Sequence, residues 1–254
     1  MNINQVGAQL FTLREQLKTP ADIAKTLAEV SKIGYRNVQV SGMGPIDAKD
    51  LAVILEDNGL FCCSTHDPAI KILKETESVI EKLKVLGCPT TAIPSMPAEY
   101  RTADGYRRLA EEATAAGRLM RAAGIELMYH NHAFEFQKYG DKTGLELLYE
   151  YSDPQFLQAE IDTYWVQVGG GSPAGWCRKV KGRMPAVHFK DYLMTAEGPT
   201  MCEIGQGNLD FPGIARACEE GGVRWYLVEQ DKCTRPPLES LAMSFTYIRD
   251  RLCA

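Results

Sequence analysis

The stretch Ile125-Glu-Leu-Met-Tyr-His-Asn-His132 is a short, largely apolar run that ends in polar, ionisable side chains. Runs of this kind are typical of parallel strands that are buried on both faces. The same pattern recurs along the chain, where His66, Asp162, His188 and Glu229 end four other short apolar runs. In a barrel of parallel strands, the carboxyl ends of the strands meet at one face, and functional side chains gather there. The pattern therefore predicts a closed parallel barrel with a polar site at one mouth.

Apolar runs of strand length recur about every 25–40 residues, which is the length of a strand-plus-helix unit. The eight runs are Val6–Leu10, Arg36–Val40, Leu60–Ser64, Thr90–Ile93, Ile125–Tyr129, Leu157–Ile161, Ala186–Phe189 and Trp225–Glu229. A chain of 254 residues also has the usual length of one (β/α)8 barrel. A doubly wound open sheet is the alternative, but no glycine-rich turn follows the first run. We therefore predict an α/β protein with a single (β/α)8 barrel domain over residues 1–254.

Capping residues mark the helices between these runs. Three helices are predicted between a start and a glycine stop: Thr19-Pro20 to Gly34, Asp47 to Gly59, and Thr102 to Gly124. Three later helix starts are predicted at prolines: Pro173, Pro212 and Pro236-Pro237. No linker or low-complexity tract interrupts the alternation, which favours one domain.

The composition is that of an ordinary globular protein, with 45% hydrophobic and 24% charged residues. A net charge of −5 gives no electrostatic basis for binding nucleic acid, and no apolar run approaches the length of a membrane span. The eight cysteines lack C-x-x-C spacing and several lie in apolar segments. We interpret them as reduced thiols of a cytoplasmic protein. Disulfides in an exported protein whose leader has been removed are the alternative.

A metal site is predicted from the polar residues at the ends of the fifth to eighth strands. Residues two apart on a strand share a face, so the inward-facing sets of these strands converge at the mouth of a barrel. The converging set is His130, Asp162, His188 and Glu229. Two imidazoles and two carboxylates suit Mn²⁺, Co²⁺, Fe²⁺, Ni²⁺ or Zn²⁺. The alternative is that some of these residues are satisfied polar groups of the core or loops.

Further polar residues at the same mouth are candidates for catalysis and substrate binding. His132 is the favoured base, because it lies one pleat beyond His130 and an imidazole pKa is ordinarily near neutrality. Glu229 is a second candidate, and Lys190 is a candidate donor to an oxyanion or a partner for Asp162 or Glu229 in a salt bridge. The candidate substrate-binding residues are His66, Gln9, Gln39, Trp165, Glu135 and Asp231, with Glu135 also considered as a base.

Several motifs, taken in order along the whole chain, carry a resemblance to a known family. They are Gly7-Ala-Gln-Leu-Phe-Thr-Leu-Arg14, Tyr129-His-Asn-His-Ala-Phe-Glu-Phe136, Glu160-Ile-Asp-Thr-Tyr-Trp165, Val187-His-Phe-Lys-Asp191, Glu203-Ile-Gly-Gln-Gly-Asn-Leu-Asp-Phe211 and Tyr226-Leu-Val-Glu-Gln-Asp231. With these motifs the chain resembles the sugar phosphate isomerase/epimerase family, the TIM barrels that are xylose isomerase-like or similar to AP endonuclease family 2.

The resemblance implies one divalent metal ion held by the last four strands, with Mn favoured over Co, Zn, Fe, Ni or Mg. Asp162, His188 and Glu229 match the later ligands of the family, and His130 stands where many members have a glutamate. In keto-sugar epimerases of the family, that glutamate is also one of two acid/base groups. Its loss moves the chain toward a branch with paired histidines, which resembles inosose dehydratases and lyases or hydratases of 3-keto-sugars. Trp165 stands where many relatives carry a histidine, so a second or third metal would lose a ligand.

These observations predict a metal-dependent sugar isomerase or epimerase of carbohydrate metabolism, which removes a proton next to a carbonyl. The main alternative is a lyase or dehydratase that acts on a 3-keto-sugar, a 3-keto-glycoside or an inosose. A DNA-repair endonuclease with the same barrel is disfavoured by the net charge of −5. A non-catalytic carbohydrate-binding barrel is disfavoured by the retained Asp162, His188 and Glu229. The expected partner is a small carbohydrate, without nucleic acid or membrane, and homo-oligomerisation is left open.

Overall fold

In the computed structural model, which describes residues 1–253, eight parallel strands close into a barrel. The strands are β1 (Val6–Gln9), β2 (Asn37–Val40), β3 (Phe61–His66), β4 (Thr90–Ile93), β5 (Glu126–His130), β6 (Lys138–Tyr139), β7 (Lys142–Thr143), β8 (Leu157–Asp162), β9 (Ala186–Phe189), β10 (Asp191–Thr195), β11 (Gly198–Cys202) and β12 (Trp225–Val228). The barrel runs in the order β1-β12-β9-β8-β5-β4-β3-β2. The prediction of a (β/α)8 barrel is therefore confirmed, and every predicted run contributes one barrel strand.

Helices surround the barrel and lie between its strands. They are α1 (Pro20–Ile33), α2 (Ala48–Asp57), α3 (Ala69–Lys74), α4 (Thr76–Val85), α5 (Ala103–Ala122), α6 (Gly144–Tyr151), α7 (Thr163–Val168), α8 (Pro173–Lys179), α9 (Phe211–Gly221) and α10 (Pro237–Arg251). The predicted starts are confirmed: the side chains of Thr19, Asp47 and Thr102 accept hydrogen bonds from the first turns of α1, α2 and α5. Among residues 1–253, no helix combines the length and apolarity that a membrane crossing requires.

Two antiparallel hairpins, β6–β7 and β10–β11, lie outside the barrel and were not predicted from the sequence. The second hairpin continues directly from β9, and the loop after it is tied to Asp191. The buried carboxylate of Asp191 accepts backbone N–H bonds from Gly205 at 2.9 Å, Gly207 at 3.0 Å and Leu209 at 3.3 Å. This glycine-containing loop, which follows the barrel strand carrying His188, therefore has a fixed anchor.

A one-residue shift of register between β2 and β3 changes which side chains enter the barrel. Val38 pairs with Cys62 but Gln39 pairs with Ser64, so Cys63 is passed over. Cys63 packs on the apolar barrel floor, while His66, three residues later, bonds to Glu160 inside the barrel. On a regular strand, residues three apart face opposite sides. The irregularity, which acts as a β-bulge does, lets both residues point inward.

The floor of the barrel is a small apolar layer below the polar residues. It consists of Cys63, Ala92, Met128, Ala186 and Leu227, one residue from each of five strands, all fully buried. This layer fills the bottom of the barrel, so the barrel interior is a packed core and not a pore.

All eight cysteines of the chain are free thiols, and six of them are buried.

We predict that Leu227→Ala destabilises the fold by about 2–5 kcal/mol, because it opens a cavity in a layer that cannot collapse. Urea unfolding followed by circular dichroism measures the change. The matched control is Leu119→Ala on α5, where the leucine is 52% exposed, and its effect should stay within about 0.5 kcal/mol. Equal effects of the two substitutions would show that the floor does not contribute to stability as a packed layer.

Candidate metal centre and active site

Four side chains from four neighbouring strands converge at the mouth of the barrel. They are His130 at the end of β5, Asp162 at the end of β8, His188 in β9 and Glu229 just after β12. One potential ligand atom from each lies within 4.8 Å of those of the others, and all four residues are buried. Asp162 and His188 are also register partners on adjacent strands. The structure thus brings together the four residues that the sequence suggested as ligands.

The donor set has the dimensions and the chemistry of a site for one divalent ion. Bonds of about 2.0–2.2 Å to nitrogen and oxygen place opposite ligand atoms roughly 4–4.4 Å apart. In the structure, His130 Nε2 lies 3.3 Å from Asp162 Oδ2, and His188 Nδ1 lies 2.8 Å from Glu229 Oε2. Two imidazoles and two carboxylates are suitable ligands for a divalent transition metal. These residues therefore fit the metal that the sequence predicted.

Local structure fixes the orientation of two of these ligands. The carboxylate of Asp162 caps helix α7 by accepting a bond from the Trp165 backbone through Oδ1 at 2.9 Å, which turns Oδ2 toward His130. The Nδ1 atom of His130 lies 3.0 Å from the carbonyl oxygen of Pro94, which leaves Nε2 facing the ligand group. Hydrogen bonds of this kind set the tautomer and ring orientation of metal-binding histidines.

Lys190 is a fully buried cation beside this group. Its Nζ atom lies 2.7 Å from Asp231, 3.0 Å from Glu229 and 3.3 Å from Asp162. Burial opposes the charge, but the three carboxylates outweigh it and raise the pKa of Lys190 above its ordinary value. An ammonium group has three donors, and all three face carboxylates here. Lys190 therefore supplies positive charge to the site, and of the two roles left open by the sequence it has the salt bridges to Asp162 and Glu229, without a donor left for an oxyanion.

His132 lies beyond the end of β5, next to His130 and Trp165. Its ring centroid is 5.0 Å from that of His130 and 5.4 Å from that of Trp165. The His132 Nδ1 and Trp165 Nε1 atoms are both buried without a hydrogen-bond partner among residues 1–253. Burial, helped by the neighbouring His130, lowers the pKa of His132 to about 3. The pKa of His132 is therefore well below the ordinary imidazole value on which its choice as the base rested, and the imidazole is neutral over the physiological pH range.

Glu135 does not reach the mouth of the barrel, although the sequence suggested it as a substrate-binding residue or a base. It is fully buried, with one carboxylate oxygen bonded to the Tyr129 hydroxyl at 2.7 Å and the other to the backbone N–H of His132 at 2.9 Å. Burial raises the pKa of Glu135 to about 7. Because both oxygens are occupied by protein groups, the structure assigns Glu135 to holding the His132 backbone in place, instead of contacting substrate or acting as a base.

Gln9 and Gln39, expected to bind substrate hydroxyls, are engaged inside the barrel instead. Gln9 accepts the backbone N–H of Phe11 at 2.7 Å and lies 3.3 Å from His66 Nδ1. Gln39 donates to Glu160 at 2.7 Å and lies 2.8 Å from His188 Nε2. Both glutamines are fully buried. Their side chains orient other residues, since other protein groups already use their polar atoms.

A second polar layer thus lies beneath the four candidate ligands, and Glu160 is its centre. His66 Nε2 lies 2.6 Å from Glu160, whose side chain is fully buried. The alternation of side chains along the strand predicts that Glu160 faces inward one layer below Asp162, but Glu160 was not included among the candidate site residues. His66, Glu160 and His188 also form a compact group, but His188 belongs to both groups and its Nε2 already faces Gln39.

A cavity of about 400 Å³ opens onto the site. Of the candidate residues, His66, His130, His132, Glu229 and Asp231 line it. Trp165 and Lys190 are not among its lining residues, and both nitrogens of His66 face protein partners. A groove of about 490 Å³ on the surface around α6 and α8 contains none of the candidate residues. The smaller cavity is therefore the candidate substrate site.

Comparison with known proteins agrees with this barrel fold. The family of xylose isomerase-like TIM barrels matches residues 27–250. The chain belongs to this family. The family assignment confirms the resemblance that the sequence motifs indicated.

Individual relatives of this xylose isomerase-like barrel are distant in sequence. An inosose dehydratase of Lacticaseibacillus casei is 23% identical over 265 residues, and the match covers 88% of each chain. A sugar phosphate isomerase/epimerase structure from Parabacteroides distasonis has 24% identity and a TM-score of 0.82, and the match covers 98% of this chain and 94% of that one. An L-ribulose 3-epimerase structure has 17% identity and a TM-score of 0.72, with 98% and 93% covered. At these identities the structural likenesses establish the fold.

We predict that His130→Ala removes metal binding and that His132→Ala keeps it, because His130 is the one of the pair that joins the ligand group. After loading with Mn²⁺ and gel filtration, elemental analysis should find about one equivalent per chain in the parent and in His132→Ala, as expected for a single site. Circular dichroism serves as the control for folding. The reverse result would place His132 in the ligand set and contradict the geometry of the ligand group.

Proposed function

We propose that this protein is a metal-dependent enzyme that removes a proton next to the carbonyl of a sugar-like substrate and then eliminates water or an aglycone from the adjacent carbon. The proposal is supported by which of the candidate acid–base groups have hydrogen-bond partners and which do not. The carboxylates of Glu135, Glu229 and Asp231 are held by protein partners, whereas His132 has a buried ring nitrogen without one. This neutral ring has a lone pair that can accept one proton, and its lowered pKa makes it a weaker base than a free imidazole.

A divalent ion in the ligand group would polarise the carbonyl oxygen and stabilise the negative charge that develops on it. Residues of the chain would perform the other parts of the reaction. His132 takes the proton from the carbon next to the carbonyl, and its backbone is held in place by Glu135. Lys190 adds a fixed positive charge close to Asp162 and Glu229. Charges that are arranged before the reaction need no reorganisation during it.

Elimination needs fewer acid–base groups than epimerisation. The electrons of the broken C–H bond first form the enediolate, and they then form a C=C bond as the neighbouring C–O bond breaks. The protonated His132 can return its proton to the departing oxygen, so that one group serves both halves of the reaction. Inversion at a carbon instead requires a second group on the opposite face. Here His130 occupies the position of the glutamate that serves in keto-sugar epimerases, and it belongs to the ligand group.

Sequence relatives support the same reaction. The curated proteins that match, at 23–25% identity, include inosose dehydratases from several bacteria, among them Lacticaseibacillus casei, Clostridium tetani and Geobacillus kaustophilus. An isomerase or epimerase remains the second candidate, because the barrel is also similar to an L-ribulose 3-epimerase. Both candidates begin with the same proton abstraction, and they differ in the fate of the enediolate that it produces.

Deuterium incorporation and loss of mass separate these two reactions. With keto-sugars in D₂O, we expect loss of water or an aglycone, seen as a new ultraviolet-absorbing unsaturated ketone and a matching loss of mass. His132→Ala should slow this by roughly 10²–10⁴-fold, which is the usual contribution of a general base. Deuterium fixed at a substrate carbon without any other change in mass would favour an isomerase or epimerase and reject elimination.

Glu229 is expected to be essential for turnover. Glu229→Gln should lower kcat by more than about 10²-fold with the barrel still folded, because it removes a negative charge that pairs with Lys190 and completes the ligand group. The measurement is turnover at saturating Mn²⁺, together with circular dichroism and bound metal. Activity within a few-fold of the parent would exclude Glu229 both as a ligand and as an acid–base group.

A further inference from the structure

We propose that Gln39 is a positioning residue that selects Nδ1 of His188 as the metal-binding atom, by keeping the hydrogen of that imidazole on Nε2. This inference rests on the metal-dependent function proposed above. It concerns a residue outside the ligand group and outside the cavity, on the strand β2, which contributes none of the candidate ligands.

The orientation of the Gln39 amide is set by its neighbours. One end of the amide lies 2.7 Å from Glu160 Oε1 and 3.1 Å from Ser64 Oγ. An ionised carboxylate only accepts hydrogen bonds, so the NH₂ end of the amide must face Glu160. The carbonyl end of the same amide then faces His188 Nε2, at 2.8 Å. The buried carboxylate therefore decides which way the amide points.

The orientation of the amide in turn decides the tautomer of His188. An amide oxygen only accepts hydrogen bonds, so Nε2 of His188 must carry a hydrogen to bond with it. A neutral imidazole protonated on Nε2 has its lone pair on Nδ1. In the protein without a metal ion, Nδ1 donates a hydrogen bond to Glu229 Oε2 at 2.8 Å, because an ionised carboxylate only accepts. A metal ion held by the ligand group would take the place of this hydrogen on Nδ1, while the hydrogen on Nε2 would stay with Gln39. Gln39 thus prepares the ring for a metal ion without touching the ion.

A competing partner makes this control necessary. Glu160 Oε2 lies only 3.4 Å from His188 Nε2, and the ring of His188 stacks on that of His66 at 5.3 Å. Without the Gln39 carbonyl, the His188 ring is free to turn toward Glu160, which would move Nδ1 away from Glu229. Groups that hydrogen-bond to metal ligands commonly change metal affinity by 10–100-fold when they are removed.

The test compares Gln39→Met with Gln9→Met. Methionine keeps roughly the volume of glutamine but has no amide. Gln9 is the register partner of Gln39 on β1 and is equally buried, but its side chain contacts His66 instead of His188. We expect Gln39→Met to weaken Co²⁺ binding about 10–100-fold in a chelator competition, and Gln9→Met to weaken it clearly less. Equal losses in the two variants would overturn the inference.

A second measurement uses the parent protein, so it does not require that any variant folds. The chain has four histidines, so imidazole ¹⁵N spectra of a histidine-labelled, Zn²⁺-loaded sample can be assigned ring by ring. We expect His188 to show a protonated Nε2 and a metal-bound Nδ1. A metal-bound Nε2 would overturn the inference even if the proposed function holds. If the parent protein binds neither Co²⁺ nor Zn²⁺, the metal-dependent function fails first, and this inference fails with it.

Discussion

The buried carboxylates at the barrel mouth are the constraint on which the rest of the site depends. Glu160, Asp162 and Glu229 are almost completely removed from solvent, and an unpaired buried charge costs several kcal/mol. Lys190 pairs with Asp162 and Glu229, while His66 and His188 lie beside Glu160. Burial opposes the charge on His188, but Glu160 and Glu229 outweigh it and raise the pKa of His188 to about 10. The three carboxylates still outnumber the two cations Lys190 and His188, which favours a further cation there. The same charges that make the mouth costly to bury therefore suit it to hold a metal ion.

The barrel interior is organised in three levels, and the middle level orients part of the top one. An apolar floor that includes Cys63 and Leu227 fills the bottom. Above it, Glu160 turns the amide of Gln39, and Gln39 contacts the ring of His188. The ligand group forms the top level. Residues of the middle level act through others, which explains why glutamines that look suited to sugar hydroxyls are not available to them.

The position of His132, the proposed base, is fixed by Glu135, which lies beyond the end of β5. Glu135 holds the backbone of His132 and is itself bonded to Tyr129, the residue that precedes the ligand His130. One short segment, the end of β5 and the residues just after it, therefore supplies a candidate metal ligand, a neutral imidazole and the group that fixes the position of that imidazole. Burial keeps His132 uncharged by lowering its pKa to about 3. This arrangement has one free acid–base group next to the candidate metal site, which supports the proposed elimination over inversion.

The sequence by itself determined the number of barrel strands, the main helix starts and the set of candidate ligands. These features depend on local periodicity, capping and the alternation of side chains along a strand, all of which can be read within a few residues. The tertiary structure alone decided the inward turn of His66, because the shift at Cys63 depends on pairing with β2. It also decided that Gln39 faces Glu160 and that Glu135 turns away from the mouth. A hydrogen-bond partner across a barrel is set by the distance between strands that are far apart in sequence, and no local pattern encodes that distance.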